Sequence, residues 1–186
     1  MIINPEFKPH KELEKIAVEY LQNKGYCVKA QTYHETMDND AVKMLQRNYS
    51  ITSLYIRARA DRMAIRQDAI FEFEVKTHFS KSHNDLVIEI LPLMIHESKS
   101  KFIKCLYVCE VNNRQFGFFA DNIPTIKRAL IPDTQNNKHI SKIVTAWEKL
   151  RAVPISTNTT GGSNDPCIII SEKEINKLSD WRLLIS

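Results

Sequence analysis

Residues 60–77, Ala-Asp-Arg-Met-Ala-Ile-Arg-Gln-Asp-Ala-Ile-Phe-Glu-Phe-Glu-Val-Lys-Thr, predict a β-hairpin. The first arm is expected over 60–66 and the second over 69–76, with the turn at Gln67 and Asp68 between them. Charged residues recur at every second position of the second arm. This stretch therefore predicts both a strand pair and a place where charges collect.

The second arm has two chemically different faces, because successive side chains of a strand point to opposite sides. Its apolar face, which we expect to be buried, carries Phe71, Phe73 and Val75. The opposite face carries Ile70, Glu72, Glu74 and Lys76. Glu74 and Lys76 are about 7 Å apart along the strand. Asp61, in the first arm, is expected to pair close to Glu74, so two carboxylates and a lysine should meet at one point.

A first helix is predicted over 11–24. Its apolar stripe recurs at helical spacing and consists of Leu13, Ile16, Ala17, Tyr20 and Leu21. Gly25 follows as a C-terminal stop signal. Glu14 lies about 100° around the helix from Leu13, at the edge of the stripe, so its carboxylate could reach the rim of a neighbouring sheet.

Carboxylates brought together in this way would raise one another's pKa unless a cation lay between them. Oxygen ligands suit Mg²⁺ or Mn²⁺. Lys76 beside such an ion could orient a water molecule or stabilise the negative charge that develops on phosphorus. The residue types therefore predict a metal site with a cationic assistant.

The pattern Asp61-Arg-Met, followed by Glu74-Val-Lys76-Thr, resembles the PD-(D/E)XK nuclease superfamily, in particular its RecB-like and Holliday-junction-resolvase-like branches. The resemblance covers roughly residues 11–120, and Ala60 stands where the motif has proline. It implies that Asp61, Glu74 and the Val75 carbonyl bind Mg²⁺ or Mn²⁺. It also implies that Glu14 acts through a second metal or a bound water, and that Lys76 serves the attacking water. The implied activity is hydrolysis of phosphodiester bonds in DNA.

The resemblance also implies a fold, of the α/β (α+β) class. We expect a restriction-endonuclease-like core with a central mixed β-sheet flanked by helices, in the order α-β-β-β-α-β. The chain is expected to be a single domain over 1–186, with the core at 11–120. A C-terminal extension at 121–186 would add helices and a strand, and a mobile loop near 153–166. A homodimer is expected, because two cuts on two DNA strands need two active sites.

Several residues near the motif are candidates for holding duplex or branched DNA. They are Arg57, Arg59, Arg62, Lys81 and Thr77. If residues 50–65 form one continuous extended segment, Arg57, Arg59 and Asp61 share a face. Simple solvation of the arginines is an equally good interpretation.

The remaining segments are assigned from periodicity and turn signals. We expect a strand at 26–33, a short helix at 34–48, a helical stripe at 86–95 ended or kinked by Pro92, a hairpin of 101–111 with 114–120 around Asn112 and Asn113, helices at 123–130 and 140–150, a strand at 167–170, and a last helix that Ser171 caps and that ends near Trp181.

Composition places few limits on function. The 186 residues are 43% hydrophobic and 26% charged, with a net charge of +4, which permits a polyanionic partner without requiring one. No secretory signal is visible at the start, and the most apolar stretch, 86–95, is too short and too polar for a membrane span. The four cysteines lack metal-ligand spacing, so we expect reduced thiols in an intracellular, cytoplasmic protein.

Three hypotheses follow. The first is a metal-dependent DNA endonuclease. The second is a non-catalytic nucleic-acid-binding or assembly protein built on the same fold, although Asp61, Glu74 and Lys76 are all present. The third, a structural domain with incidental charges, would require four polar residues to converge by chance.

Overall fold

A five-stranded mixed sheet is the centre of this computed structural model, which describes residues 7–47, 50–78, 83–132, 147, 153–158 and 166–185. In chain order the elements are α1 (Phe7–Asn23), β1 (Cys27–Ala30), α2 (Tyr33–Thr36), α3 (Asn39–Arg47), α4 (Ile51–Arg57), β2 (Arg62–Arg66), β3 (Ala69–His78), β4 (Leu86–Glu89), α5 (Ile90–Lys99), β5 (Lys104–Val111), β6 (Arg114–Phe119), β7 (Ile126–Pro132), β8 (Ile155–Asn158), β9 (Cys167–Ile170), α6 (Glu172–Ile175) and a 3₁₀ helix (Trp181–Leu184). No helix among these is long and apolar enough to cross a membrane.

The central sheet has the strand order β1-β2-β3-β5-β6. β3 and β5 are parallel, and the other neighbours are antiparallel. The expected hairpin is confirmed: Arg62 pairs with Phe73 and Arg66 with Ala69, which leaves Gln67 and Asp68 as the turn. The succession α1, β1, β2, β3, α5, β5 also confirms the expected α+β class and element order, with additional helices between β1 and β2.

Helix α1 covers the apolar face of β3. Of its predicted stripe, Ile16 is 38% exposed. Leu13, Ala17 and Leu21 are buried and belong to the same core cluster as Phe73 and Val75. The helix ends before Gly25, whose φ of 84° lies in the left-handed region that glycine tolerates.

The charged face of β3 is buried as well, which the alternation alone does not predict. Glu72 and Glu74 are only 6% and 7% exposed. β3 lies in the middle of the sheet, and buried residues of α5 and of the parallel strand β5, among them Leu93 and Tyr107, pack on this side. Two of the hairpin's carboxylates are therefore held in a largely dry environment.

Residues 50–65 do not form one extended segment, so that prediction is wrong. Ser50 caps helix α4 by accepting a hydrogen bond from the Ser53 amide, and Leu54 is buried on the inner side of the helix. The β-branched and aromatic composition favoured a strand, but the cap and the burial of one helical face prevail. Arg57 lies in the helix and Asp61 beyond its end, so Arg57, Arg59 and Asp61 do not share a strand face.

A second sheet with the order β4-β9-β7-β8 accounts for two further corrections. The segment 123–130, predicted as a helix, contains the start of β7, because Ala129 pairs with Ile168 of β9 far along the chain. The segment 86–95 is a strand followed by a helix. Pro92 is the third residue of α5, where its missing amide hydrogen breaks no intrahelical bond.

The hairpin around Asn112 and Asn113 is confirmed, and both residues have positive φ, as a tight two-residue turn requires. The strand at 167–170 and its Ser171 cap are confirmed too, although the helix that follows is short and the chain ends in a separate 3₁₀ turn. β1 is shorter than expected, and the 34–48 region contains two short helices. Part of the expected loop at 153–166 is strand β8. The helix predicted at 140–150 lies outside the described residues, apart from Trp147.

Candidate active site

Asp61, Glu74 and Lys76 lie together at one end of the β2–β3 hairpin. The Asp61 amide donates a hydrogen bond of 3.1 Å to Oε2 of Glu74, and the Val75 amide donates one of 2.8 Å to Oδ2 of Asp61. Nζ of Lys76 is 2.9 Å from Oε1 of Glu74. Each carboxylate thus accepts a backbone hydrogen bond that fixes its orientation. The local pairing of the two arms places these three side chains in one small site.

Glu89 is a fourth member of this site. It is the last residue of β4, and its Oε2 lies 3.2 Å from Nζ of Lys76. The ammonium of Lys76 therefore bridges two carboxylates. Sequence reasoning missed Glu89, because β4 belongs to a second sheet, where it pairs with the distant strand β9, and its approach to Lys76 depends on tertiary packing.

Burial and mutual repulsion dominate the electrostatics of the site. Burial, together with the nearby charge of Glu74, raises the pKa of Asp61 to about 7. Burial raises the pKa of Glu74 as well, and the attraction of Lys76 offsets this only in part. Burial alone would lower the pKa of Lys76, but Glu74 and Glu89 raise it above its ordinary value. Lys76 is therefore a permanent cation at neutral pH.

Glu14 is buried at the edge of α1 but does not contact this group directly. Its Oε1 lies 2.6 Å from Nη2 of Arg62, the residue after Asp61, and its Oε2 accepts a hydrogen bond of 3.2 Å from Lys11. Burial would raise the pKa of Glu14, but the hydrogen bonds from Arg62 and Lys11 lower it below its ordinary value. The structure therefore joins Glu14 to the site through Arg62.

His10 stands one turn before Glu14 on α1, and no motif pointed to it. Burial lowers the pKa of its imidazole, and the charges that act on it include those of Asp61, Lys76 and Glu14. His10 thus lies within electrostatic range of both Glu14 and Asp61. Only the docking of α1 could have shown this.

The oxygen atoms of Asp61, Glu74 and Glu89 fit a hard divalent cation such as Mg²⁺ or Mn²⁺. Among the described residues, Oδ1 of Asp61 has no hydrogen-bond donor, so one of its lone pairs is available. Burial raises the pKa values of Asp61 and Glu74 most, and the charges of neighbouring carboxylates add to the rise, so a bound cation would favour the ionised forms. The donor set is therefore consistent with a metal between these carboxylates. That the Val75 carbonyl is a ligand stays a prediction.

A second group of potential ligands, Glu72, His96 and Cys105, is buried with its ligand atoms within 4.8 Å of one another. Both nitrogens of His96 and one oxygen of Glu72 already have partners. Nε2 of His96 lies 2.8 Å from the Ala58 carbonyl, and Nδ1 lies 2.9 Å from the Tyr107 hydroxyl. Glu72 pairs with Lys99 at 2.8 Å, and burial raises the pKa of the Cys105 thiol well above its ordinary value. A metal held by these three residues would have to displace a hydrogen bond of His96 and compete with Lys99 for Glu72.

The candidate DNA-binding residues lie in different environments. Arg62 is held by Glu14 and by Glu35, at 2.9 Å, so its guanidinium is already engaged. Nη1 of Arg57 is buried, Thr77 is half-buried on β3, and Arg59 is exposed. Lys81 lies outside the described residues. A role in binding DNA stays a prediction for all five.

No protein-family model matches this sequence, and a search of curated proteins found no match. Among solved structures, Hjc, a Holliday junction resolvase from the archaeal hyperthermophile Archaeoglobus fulgidus, aligns with 93% of this chain and 92% of its own. The two sequences are 8% identical, and the TM-score is 0.46. A similarity at this level carries no argument about activity.

Proposed function

We propose that this protein is a metal-dependent nuclease that hydrolyses phosphodiester bonds in DNA. One observation carries the proposal: Asp61, Glu74 and Lys76 form a single hydrogen-bonded group, in which Lys76 is the one cation and also pairs with a third carboxylate, that of Glu89. A phosphodiester nuclease needs these features, namely oxygen ligands for a metal and a fixed cation beside it.

Asp61 and Glu74 would hold Mg²⁺ or Mn²⁺, with Glu89 as a further oxygen donor. When bound, the ion supplies charge neutralisation at the phosphate and a coordinated water. Because the pKa of Lys76 is raised, its ammonium acts as a hydrogen-bond donor and not as a base. It would orient the attacking water or stabilise the charge that develops on the phosphoryl oxygens. Glu14, paired with Arg62 and Lys11, would act through a second metal or a bound water at the rim of the site.

Backbone phosphates would be held electrostatically by cations near the site, among them the exposed Arg59. We propose a homodimer, because cleavage of both strands needs two active sites. Light scattering of the purified protein, with and without DNA, measures its oligomeric state directly. A monomer under both conditions would remove the dimer from the proposal and leave the site unaffected.

The test of activity uses the full chain on linear, branched, single-stranded and supercoiled DNA. We expect cleavage with Mg²⁺ or Mn²⁺ and none with EDTA. Lys76→Ala should lower the cleavage rate by about 100-fold or more, because it removes a preorganised charge from the reaction centre. Lys177→Ala is the matched control, since it removes an exposed lysine whose ion-pair partner, among the described residues, is Glu174.

Three outcomes separate the hypotheses. Loss of cleavage in Lys76→Ala with unchanged DNA affinity supports the nuclease. A folded wild-type protein that binds DNA but leaves all four substrates intact supports the non-catalytic binding protein. A folded protein that neither binds nor cleaves DNA rejects both.

A further inference from the structure

A cleft of about 530 Å³ lies on the charged side of the sheet, next to the candidate active site. Its floor includes Met63 and Glu72, which are cross-strand partners, and one wall is helix α4 with Thr52 and Tyr55. Lys99 of α5 lines the cleft beside Glu72. The volume falls in the range of sites that hold small organic ligands.

The cleft adjoins the catalytic group through two short connections. The Gln31 amide, at its edge, donates a hydrogen bond of 3.1 Å to the carbonyl of Asp61. Glu72, on its floor, precedes Glu74 by two residues on the same face of β3, about 7 Å along the strand. A nucleotide bound in the cleft would therefore lie beside a phosphate held at Asp61 and Glu74.

The lining has an unmet hydrogen-bonding requirement. Oε1 of Gln31 is buried and has no hydrogen-bond donor among the described residues. Because this atom is enclosed, a donor in the cleft reaches it only when the Gln31 side chain rotates toward the cleft. Buried acceptors of this kind are rare in folded proteins and mark places where a partner is missing. Every nucleobase has an N–H donor on its pairing edge, and that edge is accessible only when the base is unpaired.

Two other residues supply what an unpaired nucleotide needs. Tyr55 is 44% exposed, which leaves its ring accessible for stacking against a base. Arg59 also lines the cleft, and its guanidinium pairs with no carboxylate in the part of the chain that the structure describes. It is therefore available to a phosphate.

We propose that this cleft binds an unpaired nucleotide of the substrate, next to the phosphate that is cleaved. The inference rests on the proposed nuclease function and narrows its substrate to DNA with a single-stranded tail or a branch. A base within a continuous duplex would have to leave its stack to enter the cleft.

The first test measures nucleotide binding without cleavage. NMR spectra of the full chain in EDTA are recorded with millimolar dAMP and dCMP, and the Gln31 side-chain amide and Tyr55 ring signals are followed. Shifts confined to the cleft support the proposal even if the protein cleaves nothing. If neither signal moves at saturating nucleotide, the cleft is not a nucleotide site, whatever the nuclease assay shows.

The second test compares DNA shapes by fluorescence anisotropy, in EDTA and with Lys76→Ala as the parent. Gln31→Ala and Thr52→Trp should each weaken binding of a tailed duplex by about tenfold and leave a blunt duplex unaffected. Gln22→Ala and Gln22→Trp, at an exposed position of α1, are the matched controls. Gln31→Ala removes a polar group from the cleft, whereas Thr52→Trp blocks the cleft sterically. Melting temperatures show whether each variant is folded. Equal affinity of all variants for tailed DNA would overturn the proposal.

Discussion

Asp61 and Glu74 carry an electrostatic cost in the folded protein. Their carboxylates share one partly dry site, and the pKa of Asp61 rises from 3.8 to about 7. Between pH 3.8 and about pH 7, Asp61 is protonated in the folded state and ionised in the unfolded state. Stability contributed in this way is fully present below pH 3.8 and is lost as pH rises toward 7. Such a cost is typical of sites that require a cation.

Asp61→Asn should therefore stabilise the metal-free protein at pH 8, where the wild type carries the unfavourable charge. The asparagine oxygen can still accept the Val75 hydrogen bond. We expect a gain of roughly 1–3 kcal/mol in the free energy of unfolding at pH 8 and much less at pH 5. Urea unfolding in EDTA at the two pH values measures it. A gain of the same size at both would show that charge is not the cause.

Asp68→Asn is the control, because Asp68 is exposed and pairs with Arg66, which lowers its pKa. It should give no gain at pH 8. Metal provides a second measurement: Mn²⁺ should raise the melting temperature of the wild type more at pH 8 than at pH 6. It should leave Asp61→Asn almost unchanged.

At the scale of elements, His96 connects helix α5 to the end of helix α4 and to strand β5. His96 of α5 contacts the carbonyl of Ala58, at the end of α4, and the hydroxyl of Tyr107, on β5. A carbonyl can only accept, so Nε2 carries the proton and Nδ1 accepts from Tyr107. This network holds α4, one wall of the cleft, against the sheet. Burial lowers the pKa of His96 to about 4.

His96 should make the protein sensitive to acid. The unfolded chain takes up the proton near pH 6.5 and the folded state only near pH 4. Stability is therefore complete above pH 6.5 and falls through this window, by roughly 3 kcal/mol in total. His96→Gln, which cannot titrate, should be less stable than the wild type at pH 7, and the difference should shrink as pH falls to 4.

Asp61 acts in the opposite direction over an overlapping range of pH. The wild type and His96→Gln both contain Asp61. Its contribution to the free energy of unfolding therefore cancels when the two proteins are compared at the same pH. Thermal or urea unfolding from pH 4 to 7 supplies the comparison. A constant difference across the range would mean that His96 contributes packing and hydrogen bonds alone.

At the scale of the whole molecule, the C-terminal 3₁₀ helix ties the end of the chain to its beginning. Trp181 is fully buried and packs edge-on against Tyr20 of α1, with ring centroids 5.1 Å apart. Gly117 of β6 allows this approach, because a Cβ there would lie 2.6 Å from the Cβ of Trp181. The last residues thus complete the core beneath β3, on the face opposite the candidate active site.

Trp181→Ala should lower the free energy of unfolding by about 3–5 kcal/mol, because it leaves a large cavity in a closed core. Leu183→Ala, in the same 3₁₀ helix, is the control, since Leu183 is 76% exposed. Urea unfolding compares the two. Below its melting temperature the Trp181→Ala protein should still bind Mn²⁺, because the carboxylates lie on the other face of β3. Loss of Mn²⁺ binding in a folded variant would contradict this separation.

Local sequence patterns were sufficient to predict the β2–β3 hairpin and the buried residues of α1, because each depends on a short segment. The hairpin brings Asp61 opposite Glu74 by its own pairing, so their proximity follows from alternation and a two-residue turn. The stripe of α1 likewise placed Leu13 and Ala17 in the core. The same reasoning failed for β7, whose spacing suits a helix until the distant strand β9 is present to pair with it.

By itself, then, the sequence determined the motif strand, the burial of its phenylalanine face and the meeting of two carboxylates with one lysine, because alternation and turn chemistry act over a few residues. Only the tertiary structure decided that the charged face is buried, that Glu89 and His10 approach Lys76 and Asp61, and that a cleft opens beside Gln31. Each of these depends on which distant segments pack together, and that is set by the burial and pairing of the whole chain.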